Sequence, residues 1–296
     1  MPDENSTTLM NEFLPNAGRL AKSLTDCAGA AVFEFMPEER FQLLTTSDPA
    51  EAARVYWREI LYRAHLAAVT ALARHARWIA ACLQHYGAEP NYLGFACCFR
   101  GLLEAAADTF YSLRGVPLTI ASSIELVQRA IRGQLDTGAY IAGEIEQLLI
   151  HFLYARRLDR ASPIAPGHKA ETAAAYVQCL IDQNDDSVRR MYEELCGLTH
   201  PAAASVAWML KTSPDLALLQ FGGAEDGRCV RELVDRHSRA IKTVAAIPLD
   251  ISVCTLRVLN RLPLREVHIP LSEAYEPAGW DRVLSLLRPT GAAPAK

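Results

Sequence analysis

The sequence lacks the short motifs that announce common chemistries. It holds no C-x-x-C pair, no H-E-x-x-H, no E-x-x-H at any histidine, no Walker loop, no G-x-G-x-x-G and no G-x-S-x-G. These gaps remove the helical di-iron site, the zinc protease, the P-loop and dinucleotide folds and the serine-hydrolase elbow. Long apolar runs are missing too. The longest nearly uncharged stretch near the C-terminus, Thr243 to Leu256, contains Pro248 and Asp250 and falls short of the roughly 20 residues a membrane helix needs, so no span is expected. Met1-Pro2-Asp3-Glu4-Asn5 is acidic and polar, without the basic and apolar regions of a secretory leader, and the expected compartment is the cytoplasm. Neither sign of charge dominates: Lys+Arg of 30 against Asp+Glu of 34 gives a net charge of -4. No whole-chain field therefore draws nucleic acid, although a local basic patch is compatible with this balance. Lysine is scarce beside arginine, which fits a composition bias better than a phosphate-binding strategy. The 8 cysteines mostly sit in apolar helical surroundings, as reduced thiols of a cytosolic chain do, and they support neither a disulfide framework nor a zinc knuckle.

What is present is a soluble globular composition, 50% hydrophobic and 22% charged over 296 residues, enough for one large domain or two small ones. Residues 1–47 are polar and proline-containing and read as a partly ordered segment with one short apolar helix around 13–24. Ser47-Asp48-Pro49-Ala50-Glu51 is a strong helix start: a capping residue, proline at the first helical position and an acid in the first turn. From there apolar residues recur at three- and four-residue steps until Gly87 and Pro90, which predicts one helix of about 35 residues and hence a bundle. Further helices are expected over 91–113, 117–135, 138–158, 169–183 and 185–198. Another is expected over 227–262, broken or bent at Pro248, and a short one over 280–287. Short connections make neighbours antiparallel. Ala161-Ser162-Pro163-Ile164-Ala165-Pro166-Gly167 reads as the best candidate for a mobile loop, within 161–168. Ser205 to Leu210 and Leu216 to Phe221, split by Ser213-Pro214-Asp215, read as a small hairpin. The expected fold class is thus all-α, an antiparallel helical bundle of six or more helices with a small β-hairpin after residue 204. The expected division is a segment 1–47, a bundle domain 48–262 and a tail 263–296.

Two constellations carry candidate chemistry. In Phe95 to Tyr111, Arg100, Glu104 and Asp108 stand four apart on one stripe of an otherwise small and apolar helix. A buried charge there must be paired or functional. Either an Arg-Glu pair fixes helix register, or Glu104 orients Arg100 to present its fork to a phosphate or carboxylate. In Arg189 to Pro201, Tyr192, Leu195 and Thr199 share a face, and His200 stands at the helix end because the following proline disfavours helical geometry for it. An imidazole so placed can act as acid or base, or merely as a cap.

Taken together, an R-x-x-x-E helix in an apolar setting and, about ninety residues later, Y-x-x-L-x-x-x-x-H-P resemble a group of bacterial all-helical proteins of undetermined function. That group stands near the HEPN helical families. The resemblance covers roughly residues 50–210 and points to Arg100, Glu104, Tyr192, Leu195 and His200. It implies a metal-independent ribonuclease or a toxin or phage-defence effector, with RNA or a cognate antitoxin as partner and a homodimer cleft as setting. The chain departs from the HEPN pattern of arginine and histidine with four to six residues between them: the nearest arginine before His200 is Arg190, with nine residues between. Three other pairs do fit, Arg58 with His65, Arg231 with His237 and Arg261 with His268. That number is about what chance gives in a chain so rich in arginine.

Glu144 and His151 stand seven apart on one helix, but two ligands do not make a metal site, and neither a metal nor a cofactor is called for. The catalytic candidates are therefore Arg100, Glu104, Tyr192 and His200, expected to converge in space. The alternative is a non-catalytic helical interaction or regulatory module in which Arg100 and Glu104 are internal glue.

Overall fold

The computed structural model describes residues 8–29, 31–135, 142–157, 167–183, 186–201, 203–213, 218–222 and 225–287. The chain is an all-α helical bundle, and the strands among the described residues form one small hairpin. A π turn over Leu9–Phe13 runs into α1 (Leu14–Ala28), and α2 covers Glu38–Ser47. Then come α3 (Pro49–Tyr86), α4 (Tyr92–Leu113), α5 (Val116–Ser122), α6 (Ile124–Ile131) and α7 (Gly143–Tyr154). After these lie α8 (Ala173–Asp182), α9 (Asp186–Thr199), α10 (Ala203–Ala207), β1 (Leu210–Thr212) and β2 (Leu219–Phe221). The last helices are α11 (Asp226–Leu259) and α12 (Trp280–Leu287).

Local chemistry explains most of these limits. Asp48 accepts a hydrogen bond from the Glu51 amide at 3.0 Å, an N-cap that starts the 38-residue α3 at Pro49. Where one helix over 117–135 is expected, the chain makes two, because the helix breaks at Ser123, whose amide turns to the Thr119 and Ile120 carbonyls. Residues 203–207 form a helix and not a strand: they are alanine-rich, and alanine has the strongest helix propensity. The antiparallel hairpin is accordingly shorter, pairing Leu210 with Phe221, Lys211 with Gln220 and Thr212 with Leu219. The interruption of α11 falls at His237 (φ -114°, ψ 17°), while Pro248 lies within the helix. A proline costs a helix one hydrogen bond and some crowding, yet its φ is helical. The segment before residue 48 carries α2 in addition to the helix around 13–24, and that first helix is longer than expected. The expected loop lies outside the described residues over 161–166.

The chain divides into two compact units. The first takes the described residues up to Lys22, Ala73–Asp108 and Thr172–Pro248; the second takes Ser23–Leu72, Thr109–Glu171 and the described residues from Leu249 on. In the first unit, Ile79 of α3, Phe95, Phe99 and Leu102 of α4, Val188, Met191 and Leu195 of α9 and Val234 and Val244 of α11 are buried. Phe95 and Phe99, one helical turn apart, stack at 5.7 Å between ring centroids. In the second, Ile60 and Leu61 of α3, Ile120 of α5, Val127 of α6, Leu149 of α7 and Leu256 and Leu259 of α11 are buried. There Phe33 stacks on Tyr62 at 4.2 Å, and Glu59 accepts from the Met36 amide at 2.6 Å, so an extended segment is fastened to α3.

Candidate functional site

The first unit holds the site. Beside it α3 meets α4 closely: a Cβ added to Gly101 would lie 2.6 Å from the Trp78 ring, so only glycine admits the indole there. With Phe95, Phe99, Leu102, Leu103 and Ala106 buried on the inner face of α4, Arg100 and Glu104 fall at its edge, 23% and 28% exposed. α9 presents Val188, Met191, Leu195 and Leu198 inward at steps of three and four. Leu195, named by the motif, is therefore core. The same spacing leaves Tyr192 and Thr199 on the flank of the buried stripe.

Here the helices are tied together. Arg100 Nε donates to Glu104 Oε1 at 2.9 Å, and Arg100 Nη1 donates to Thr199 Oγ1 at 2.9 Å. Nη1 also contacts His200 Nε2 at 3.1 Å. A guanidinium has no lone pair to offer, so Nε2 accepts, and the imidazole is neutral with its proton on Nδ1. The His200 amide closes the last turn of α9 on the Cys196 carbonyl at 3.0 Å, and Pro201 ends the helix there. Thr199 Oγ1 donates onward to the Leu195 carbonyl at 2.8 Å, so its hydroxyl is satisfied on both sides. Tyr192 Oη points its proton at Glu104 Oε1, 3.5 Å away, at the long limit of a hydrogen bond.

Electrostatics follow the geometry. Burial first, then the neighbouring Cys196 thiol and Glu104 carboxylate, push the Tyr192 phenol up to about 12, with Arg100 pulling the other way. Tyr192 thus keeps its proton at neutral pH and serves as a donor. Burial opposes the charge on Arg100, but the hydrogen bond and charge of Glu104 outweigh it and raise the guanidinium further. The site is a fixed cation beside a neutral imidazole at an exposed residue.

The structure brings together Arg100, Glu104, Tyr192 and His200, and adds Thr199. Asp108, the third member of the stripe, leaves the group and pairs with Arg74 at 2.7 Å. Thr199 stands on the face already marked by Tyr192 and Leu195, but nothing in a threonine at a helix end signals that it will meet an arginine a hundred residues away. Glu194 lies on the same helix and pairs with Arg236 and, at 2.7 Å, with His237 Nε2. His237 is 6% exposed and committed to that carboxylate, which accounts for it without Arg231. His65 and His268 are likewise spent on the backbone carbonyls of Val267 and Leu262. His151 is buried against the Tyr111 ring, and among the described residues no three His, Cys, Asp or Glu side chains gather as metal ligands. All 8 cysteines are free thiols. Among the described residues no helix is long and apolar enough to cross a membrane.

Compared with known protein families, curated proteins and solved structures, the chain matches none of them.

Proposed function

We propose that the Arg100–His200 pair is the reactive site of a metal-independent, HEPN-like endoribonuclease, acting in the cytoplasm as a toxin or phage-defence effector. The observation that carries this is the 3.1 Å contact between Arg100 Nη1 and His200 Nε2 at an exposed residue. A solvent-facing hydrogen bond to an imidazole contributes little to folding, on the order of 1 kcal/mol. A cation held against a neutral base is, by contrast, what in-line cleavage of a phosphodiester requires. An incoming phosphodiester oxygen draws Nη1 from His200 and frees Nε2. His200 then takes the 2′-hydroxyl proton as the 2′-oxygen attacks phosphorus, and Arg100 stabilises the charge that builds on the phosphorane. The P–O5′ bond breaks, the 5′-oxygen leaves with a proton from solvent, and a 2′,3′-cyclic phosphate remains. Glu104 and Tyr192 hold the guanidinium in place. RNA is the substrate in this scheme, and a cognate antitoxin, or a second copy completing the cleft, is the partner expected for such an effector.

One observation favours the alternative, a non-catalytic interaction module: Nε and Nη1 of Arg100 are already given to Glu104, Thr199 and His200, as in a clasp between α4 and α9. The two separate by comparing His200→Ala and Arg100→Lys for RNA cleavage and for melting temperature. Loss of cleavage by His200→Ala at unchanged melting temperature supports the nuclease. Cleavage that survives both substitutions rules this site out.

A further inference from the structure

The second unit holds a cavity of about 430 Å³ walled by Arg54 and Arg58 of α3, by Ile131 at the end of α6 and by Pro263 to Glu266 after α11. Arg54 and Arg58 stand one helical turn apart and so open on the same side. Arg265 adds a third guanidinium from a short turn, Arg265–Val267. Against these three cations the wall offers one carboxylate, Glu266. Arg54 is partly compensated by Glu51 at 2.7 Å, but no carboxylate among the described residues pairs with Arg58 or Arg265. Arg58 rests its guanidinium over the Tyr62 ring at 5.7 Å, and its buried Nε has no hydrogen-bond partner. The rest of the lining is apolar, made by Ile131, Pro263 and Leu264.

We propose that this cavity binds a small organic phosphate of nucleotide size, its phosphates on Arg58 and Arg265 and its ring against Ile131, Pro263 and Leu264. The volume lies within the range of small-ligand pockets, roughly 300 to 1,000 Å³. Arginine forks suit phosphate oxygens two at a time, and an excess of cations in the wall selects a polyanion over a single carboxylate. This inference uses neither Arg100 nor His200 and does not depend on the nuclease proposal.

Isothermal titration calorimetry of the full chain with adenosine diphosphate, inorganic pyrophosphate and adenosine tests it. Adenosine diphosphate should bind saturably and more tightly than pyrophosphate, adenosine should not bind, and affinity should fall with added salt. Arg58→Ala and Arg265→Ala should each weaken adenosine diphosphate by about tenfold or more; Arg265 lies on an exposed turn, so its variant tests the site without endangering the helix. Absence of saturable binding, equal affinity for pyrophosphate and adenosine diphosphate, or undiminished binding in the Arg265 variant would overturn the proposal. So would Arg265-dependent binding of a single-stranded oligonucleotide that adenosine diphosphate does not displace.

Discussion

Arg100 Nη1 donates to His200 Nε2 over 3.1 Å, joining the middle of α4 to the residue that follows α9. The same nitrogen reaches Thr199, so one guanidinium group fastens both the last helical residue and the first one beyond it. Truncating Arg100 strands the Glu104 carboxylate, but both side chains are about one quarter exposed, and water partly replaces the lost bonds. Arg100→Ala should therefore destabilise the fold by about 1 to 3 kcal/mol, less than the 3 to 5 of a fully buried pair. His200→Ala should cost under about 1 kcal/mol. Urea unfolding of the two variants beside the wild type measures both.

The approach of α3 to α4 at Gly101 rests on a missing side chain. Alanine at position 101 would gain about 1 kcal/mol in helix propensity but force its Cβ into the Trp78 ring, 2.6 Å away. Overpacking of this kind costs about 1 to 3 kcal/mol, so Gly101→Ala should be net destabilising or at best neutral. A rise in melting temperature would show that Trp78 does not set this spacing.

Acid sensitivity should come from buried histidines that the candidate site does not use. His75 is 1% exposed and donates from Nε2 to the Ala245 carbonyl at 2.8 Å, which leaves Nδ1 bare, and burial lowers it to about 4. His65, on the Val267 carbonyl, is lowered for the same reason. Between about pH 6.5 and 4 the unfolded chain takes up the proton at His75 and the native state does not. Stability should therefore fall as pH falls through that window, by about 3 kcal/mol from His75, and level off below it. In His75→Leu that part of the slope should vanish, as urea unfolding across the pH range would show.

Much of this was legible in the chain. Asp48-Pro49 marks the start of α3 because a cap and a fixed φ act locally, and Tyr192, Leu195 and Thr199 share a face because helical periodicity is local. Arg100, ahead of Glu104 in the weaker order for an intrahelical pair, signals a tertiary partner, and that partner is Thr199 with His200. What was not legible depends on packing. The backbone of α11 breaks at His237, whose ring meets Glu194, while Pro248, the obvious breaker, stays helical. Asp108 belongs to Arg74 although its spacing groups it with Arg100 and Glu104. No local rule distinguishes a carboxylate that faces one neighbouring helix from the next carboxylate along, which faces another.

The most direct measurement is RNA cleavage by the purified chain in EDTA, with the 3′ ends of the products analysed, for the wild type and for His200→Ala. A neutral His200 base beside Arg100 predicts cleavage without metal that leaves 2′,3′-cyclic phosphate ends and disappears in the folded His200→Ala variant. No cleavage by the wild type with or without divalent metal, or cleavage that the variant retains, would contradict a phosphodiester-cleaving role for this pair.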